Sequence, residues 1–248
     1  MMECRLRSQK TQLEICAETV QACSAAFEGG ADRVEICSVL NEGGVTPSHG
    51  LIRTAIGAAR RVPVHVLLRP RAGNFVYSDT EFAVMCADME HAASLGAAGF
   101  ALGILTRDNS PDVARMRELL RLAGDKEVTF HRAFDLAHDL REALEMVTDV
   151  GCRRVLTSGG KPTVGEGMAA IVELAKQANG RIRIAAGGGV TPEIANELGR
   201  LGNVDLHVSL RPKTGCRVSM EQDPLWGQRN EPAEIAVEDV RRFAAIIS

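Results

Sequence analysis

One pattern constrains this chain more than any other: a short β-branched or apolar run, then a longer stretch with helical spacing, eight times over. The runs predict strands at 12–16, 33–37, 64–69, 99–104, 127–131, 154–157, 181–186 and 204–209. Between and after them the spacing predicts helices at 19–29, 48–60, 79–94, 111–122, 139–150, 164–178, 192–198 and 237–247. Alternating units of this kind require parallel strands joined by right-handed crossovers. Eight of them with a closing helix favour a closed (β/α)8 TIM barrel over an open sheet. Glycines where helix gives way to strand, at Gly29-Gly30, Gly96, Gly151 and Gly202, suit the left-handed residue that ends a helix.

A barrel of this type takes about 250 residues, so the 248 residues read as a single domain, 1–248. Residues 1–11 form a polar N-terminal extension, and 212–231 an irregular insertion before the closing helix, carrying the sole tryptophan, Trp226. With 45% hydrophobic and 25% charged residues the chain can bury a large core. A net charge of -3 with scattered Lys and Arg lacks the concentrated basic face of a nucleic-acid binder. No apolar run reaches the roughly 18–20 residues of a membrane span, and the polar start has no signal-peptide core, so a cytoplasmic location is expected. Seven cysteines, odd in number and without a CxxC pair, read as reduced thiols.

Residues two apart on a strand share a face. Leu13 and Ile15 therefore turn to the helices while Glu14 and Cys16 turn to the lumen, and Val34-Glu35-Ile36-Cys37 repeats the pattern next door. The two Glu-x-Cys units are expected at similar heights, with their thiols close. The same parity turns Leu67 and Arg69 inward with His65 deeper, then Thr129 and His131, with Arg132 and Asp135 in the turn beyond. On the last strand Asp205, His207 and Ser209 share a face. A carboxylate in a lumen needs a partner, so Glu14 and Glu35 are expected to pair with Arg69 or a histidine. Strand C-termini are where barrel enzymes keep their reacting groups. Gly187-Gly188-Gly189, ahead of Thr191 as N-cap and Pro192 at the first helical position, offers backbone N–H groups to an anion. His49, His91 and His138 fall on loops or helix faces and read as solvated, and Cys4, Cys23, Cys86, Cys152 and Cys216 as inert.

Glu14-Ile15-Cys16, Gly30 through Cys37, Glu42 through Ser48, Arg69-Pro70-Arg71, Tyr77-Ser78-Asp79, Thr129 through Asp135, Val155 through Gly159 and Gly187-Gly188-Gly189, in this order, resemble the CutC copper-homeostasis family over residues 12–211. That resemblance implies a cytoplasmic barrel forming homodimers or larger homo-oligomers, with Cys16 and Cys37 as the family's proposed Cu(I) ligands. Cu(I) is soft and accepts thiolates at low coordination number, although buried cysteines also serve simply to fill space. The rival expectation is a barrel lyase, isomerase or hydrolase acting on a small anionic or phosphorylated substrate. Its catalytic candidates are Glu14, Glu35, Arg69, His131, Arg132, Asp135 and His207. Glu35 or His131 would be the general base, with Arg69 and Arg132 holding the anion. The bland alternative for these residues is an internal ion network that only closes the barrel.

Overall fold

The computed structural model describes residues 10–210 and 234–247. Eight parallel strands close into a barrel in chain order, β1 Leu13–Ala17, β2 Arg33–Ile36, β3 Val64–Leu67, β4 Gly99–Leu102, β5 Glu127–Phe130, β6 Arg154–Thr157, β7 Arg183–Gly187 and β8 Val204–Val208. The helices that cover them are α1 Val20–Gly29, α2 His49–Ala59, α3 Asp79–Ser94, α4 Val113–Ala123, α5 Leu140–Val150, α6 Val164–Ala178, α7 Pro192–Leu201 and α8 Val237–Ile246. The eightfold alternation thus produces the expected TIM barrel. The 212–231 insertion lies outside the described residues, as does the 1–11 extension apart from residues 10 and 11. No helix among the described residues is long and apolar enough to cross a membrane.

Local chemistry starts and stops the helices. Ser78 and Glu81 form a reciprocal capping box at α3, and Thr191 accepts the N–H of Ile194 with Pro192 in the first turn of α7. The outward residues of the strands, among them Leu13, Ile15, Val34, Ile36, Val66 and Phe100, are fully buried against the helices and form the main apolar core. Inside the barrel the filling differs from the usual layers of branched aliphatics. Its lower part is an ion network in which Arg154 binds Glu14, Arg33 binds Glu127 at 2.7 Å, and Arg183 chelates Asp205 through Nε at 2.8 Å. Above that layer, at the C-terminal ends of the strands, the lumen opens.

Two sequence expectations about the lumen need correction. The β1–β2 register sets Cys16 opposite Glu35, and Glu14 opposite Arg33, so the two Glu-x-Cys units are offset by two residues rather than level. The stagger that closes a tilted barrel imposes such offsets. The second correction concerns Arg69, which pairs with neither glutamate. Its Nη1 donates to the carbonyls of Glu42 and Gly44 and its Nη2 to that of Gly73, each at 2.7 Å. Glu14 is neutralised from β6 by Arg154 and, as the histidine alternative expects, from β8 by His207.

Candidate functional site

A cavity of about 1130 Å³ opens at the C-terminal mouth. Of the residues singled out in the sequence, Cys16, Glu35, Arg69, His131, Arg132, Asp135, Gly188, Gly189 and His207 line it. Glu14, Cys37 and Gly187 do not. Glu14 is wholly buried beneath the floor, Cys37 is wholly buried beside Cys16, and Gly187 ends β7.

Floor chemistry begins with Glu14. Burial opposes its charge, but Arg154 foremost, then His207 and Arg33, hold its carboxyl well below the usual range. His207 Nδ1 lies 2.6 Å from Glu14 Oε1. Burial works against a charged His207, yet Glu35, Cys16 and Glu14 together raise it well above an ordinary histidine. Glu35 takes the opposite course to Glu14, because burial outweighs the pull of His207 and raises its carboxyl. Its Oε1 is 3.7 Å from Cys16 Sγ, and its Oε2 has no hydrogen-bond partner among the described residues. The Cys16 and Cys37 sulfurs are 3.7 Å apart and unbridged. Contact with Cys37 and burial push the Cys16 thiol well up. Without a metal Cys16 is therefore a protonated thiol.

The walls carry the other groups. His131 Nδ1 accepts the Ala133 N–H at 3.2 Å, and burial, then Arg69, push the imidazole down to about 3. It is therefore neutral with its proton on Nε2, a donor without a partner among the described residues. It seats against Gly103, where a Cβ would fall 2.6 Å from Nδ1. Arg132 is held by Asp135 at 2.8 Å and by Ser158 Oγ at 2.6 Å. Asp135 also accepts from Thr157 Oγ1 at 2.5 Å and from the Ser158 and Gly160 N–H groups, each at 3.0 Å, so it tethers β6 to the turn after β5. Arg132 Nη1 leans over Gly188, where a Cβ would come within 2.9 Å of it.

The sequence reading assigns no role to Arg154, although the parity that turns Glu14 inward turns Arg154 inward on β6. It is the main counter-ion of the floor. Cys23 and Cys152 are buried, with thiols pushed up to about 12, by burial foremost in each case. Cys4 and Cys216 lie outside the described residues. His49 and His91 are exposed but meet each other, Nδ1 to Nε2, at 2.9 Å.

With this geometry in hand, the CutC family profile matches residues 11–212. The chain belongs to the CutC family. A CutC family protein of Chromobacterium violaceum is 48% identical over 200 residues, covering 80% of this chain and 81% of that one. The solved structure of a Streptococcus agalactiae CutC, named for copper homeostasis, is 32% identical with a TM-score of 0.75, covering 80% of this chain and 99% of that one. Thiamine phosphate pyrophosphorylase from Pyrococcus furiosus, at 13% identity and a TM-score of 0.60 over 97% of this chain and 96% of its own, shares the barrel alone.

Proposed function

We propose that this CutC-family chain binds copper as Cu(I) at the floor of its barrel mouth, through Cys16 and Cys37. The observation that carries this reading is the 3.7 Å separation of two free, inward-facing sulfurs. Two thiolates about 2.3 Å from one metal would lie about 4.6 Å apart if linear. The observed spacing suits a bent arrangement, reached without moving either strand. Copper here is cargo, received through the cavity past Cys16, because Cys37 has no exposed surface. Soft sulfur donors select Cu(I) over harder cations, and the copper relation of the S. agalactiae relative points the same way. A cytoplasmic location belongs to this reading, supported by the unbridged thiols. So does the homo-oligomer implied by the family resemblance.

An anaerobic Cu(I) competition titration tests it. Cys16→Ala and Cys37→Ala are each expected to weaken Cu(I) by at least about 100-fold. Equal affinity for wild type and both variants overturns the reading.

A second reading has its own observation. Arg69 is 4% exposed, its guanidinium is bonded to three backbone carbonyls, and no carboxylate pairs with it among the described residues. An uncompensated buried cation is costly, and a small anionic ligand in the cavity would balance it. In that reading the barrel is a lyase, isomerase or hydrolase. Arg69, Arg132 and the turn at Gly187, Gly188 and Gly189 hold the anion, and Glu35 exchanges a proton. His131 donates its Nε2 hydrogen rather than acting as base, because Nδ1 is already an acceptor. His207, over Glu14, supplies further positive charge, and Asp135 keeps Arg132 in place. Binding of inorganic phosphate and of small dicarboxylates, followed calorimetrically, tests it. Arg69→Gln is expected to weaken binding at least about tenfold, and an unchanged constant refutes it.

A further inference from the structure

The cavity floor holds a donor set that the thiol pair leaves unused. A sulfur of Cys16, a carboxylate oxygen of Glu35 and a ring nitrogen of His207 all lie within 4.8 Å of one another, the one such cluster among the described residues. We infer that these three residues form a site for one borderline divalent ion of the Zn²⁺ type, with an open coordination position facing the cavity.

Four independent features of the geometry point to an ion there. An ion centred among three atoms at that spacing is at most about 2.8 Å from each. Side-chain shifts of about half an ångström therefore reach the ~2.0–2.3 Å of zinc bonds to nitrogen, oxygen and sulfur. The orientation of His207 is already that of a ligand. Its Nδ1 is engaged by Glu14 at 2.6 Å, which leaves Nε2 for the ion, and Glu14 is itself pinned by Arg154. Metal-bound histidines commonly give their second nitrogen to a carboxylate in this way. Glu35 brings Oε2, a buried acceptor with no partner among the described residues, on a residue 4% exposed. Finally, all three residues line the cavity, whereas Cys37 does not. Three protein ligands with a fourth position open to a pocket is the arrangement of reactive rather than structural zinc sites.

Donor chemistry separates this set from the copper pair. One sulfur, one oxygen and one nitrogen suit a borderline divalent ion, while two sulfurs suit Cu(I). Cys16 is common to both sets, and Cys37 belongs to the copper pair. The inference does not depend on the copper reading. An ion held here would present its free position to an oxygen of whatever the cavity admits, where it polarises a carbonyl or binds an anionic group.

The test uses metal-stripped full-length protein titrated with Zn²⁺ against a chromophoric chelator, with Co²⁺ as a spectroscopic stand-in. One equivalent of Co²⁺ is expected to give visible bands of low-coordinate cobalt together with a near-ultraviolet thiolate-to-cobalt band. Glu35→Gln and His207→Gln are each expected to weaken Zn²⁺ by about 10- to 100-fold and to shift the visible bands. Cys16→Ser is expected to abolish the thiolate band, and Cys37→Ser to leave zinc affinity within about threefold. Wild type without stoichiometric Zn²⁺ or Co²⁺ binding overturns the inference. So does zinc affinity that follows Cys37 and ignores Glu35 and His207. Loss of Cu(I) binding alone sinks the copper reading and leaves this one standing. The wild-type cobalt spectrum decides the case even where a variant folds poorly.

Discussion

Replacing His131 with asparagine asks whether a buried neutral imidazole governs how the barrel tolerates acid. His131 is 5% exposed, and burial, then Arg69, push it down to about 3. An unfolded histidine titrates near 6.5. Below that value the unfolded chain gains a proton that the folded barrel refuses, so stability falls as pH drops through 6.5 and the loss continues to about 3. Each pH unit inside the window is worth about 1.4 kcal/mol, and between pH 7 and pH 5 this one residue removes about 2 kcal/mol. Asparagine offers an oxygen where Nδ1 accepts the Ala133 N–H, and it does not titrate. His65, also pushed down to about 3 by burial and then Arg33, acts in the same direction. Glu35, with its raised carboxyl, acts in the opposite direction above the unfolded carboxylate value. Both are present in wild type and variant, so they cancel in the difference. Urea unfolding followed by far-ultraviolet circular dichroism at pH 7 and pH 5 gives two free-energy drops to compare. The His131→Asn drop is expected to be smaller by about 2 kcal/mol. Equal drops in the two proteins would refute the reasoning, since the imidazole would then take its proton without unfolding the chain.

Other substitutions probe the floor and the seats of its side chains. Arg154→Met strips the wholly buried Glu14 of its main counter-ion and is expected to cost about 3–5 kcal/mol in urea unfolding, with part of the loss recovered in the Glu14→Gln/Arg154→Met double variant. Gly103→Ala puts a Cβ 2.6 Å from His131 Nδ1 and is expected to destabilise by about 1–3 kcal/mol. Gly57→Ala, in the exposed middle of α2 with nothing within 4 Å, is expected to stabilise by about 0.4–1 kcal/mol; thermal melts of the two alanine variants should shift in opposite directions.

What the sequence discloses is what short-range chemistry determines. Helices α3 and α6 begin and end where the spacing places them, at Asp79–Ser94 and Val164–Ala178. Thr19, Ser48 and Asp139, read as helical, are N-caps instead, each accepting a backbone N–H from the turn it starts. Strand β7 starts at Arg183 rather than 181. Inward parity is equally legible, and it brings Cys16, Glu35, Arg69, His131 and His207 to one cavity. Pairing inside the lumen is not legible, because it depends on how far each strand slides past its neighbour. A side chain on β6 neutralises one on β1, across the barrel, and no local pattern encodes that contact. Arg69 is the converse case. Its inward position is read correctly, but the loop carbonyls of Glu42, Gly44 and Gly73 claim it before any glutamate can.

The offset between β1 and β2 has a chemical consequence that level strands would not have. With Cys16 opposite Glu35, the Cys37 sulfur approaches the Cys16 sulfur from one side, and the Glu35 carboxylate approaches it from another. On the far flank β8 pairs with β1 so that His207 stands beside Glu14, one inward position below Cys16. The bond to Glu14 then fixes the ring with its second nitrogen turned toward the same sulfur. One thiol is thus shared by two donor sets of different softness. A soft ion gains most by drawing in the second sulfur, and a borderline ion by drawing in the oxygen and nitrogen. Since either ion must displace the proton of a thiol held well up by Cys37 and burial, the two compete for the same cost. Loss of Cys16 should therefore weaken both, whereas loss of Cys37 should weaken Cu(I) alone and loss of Glu35 or His207 the divalent ion alone.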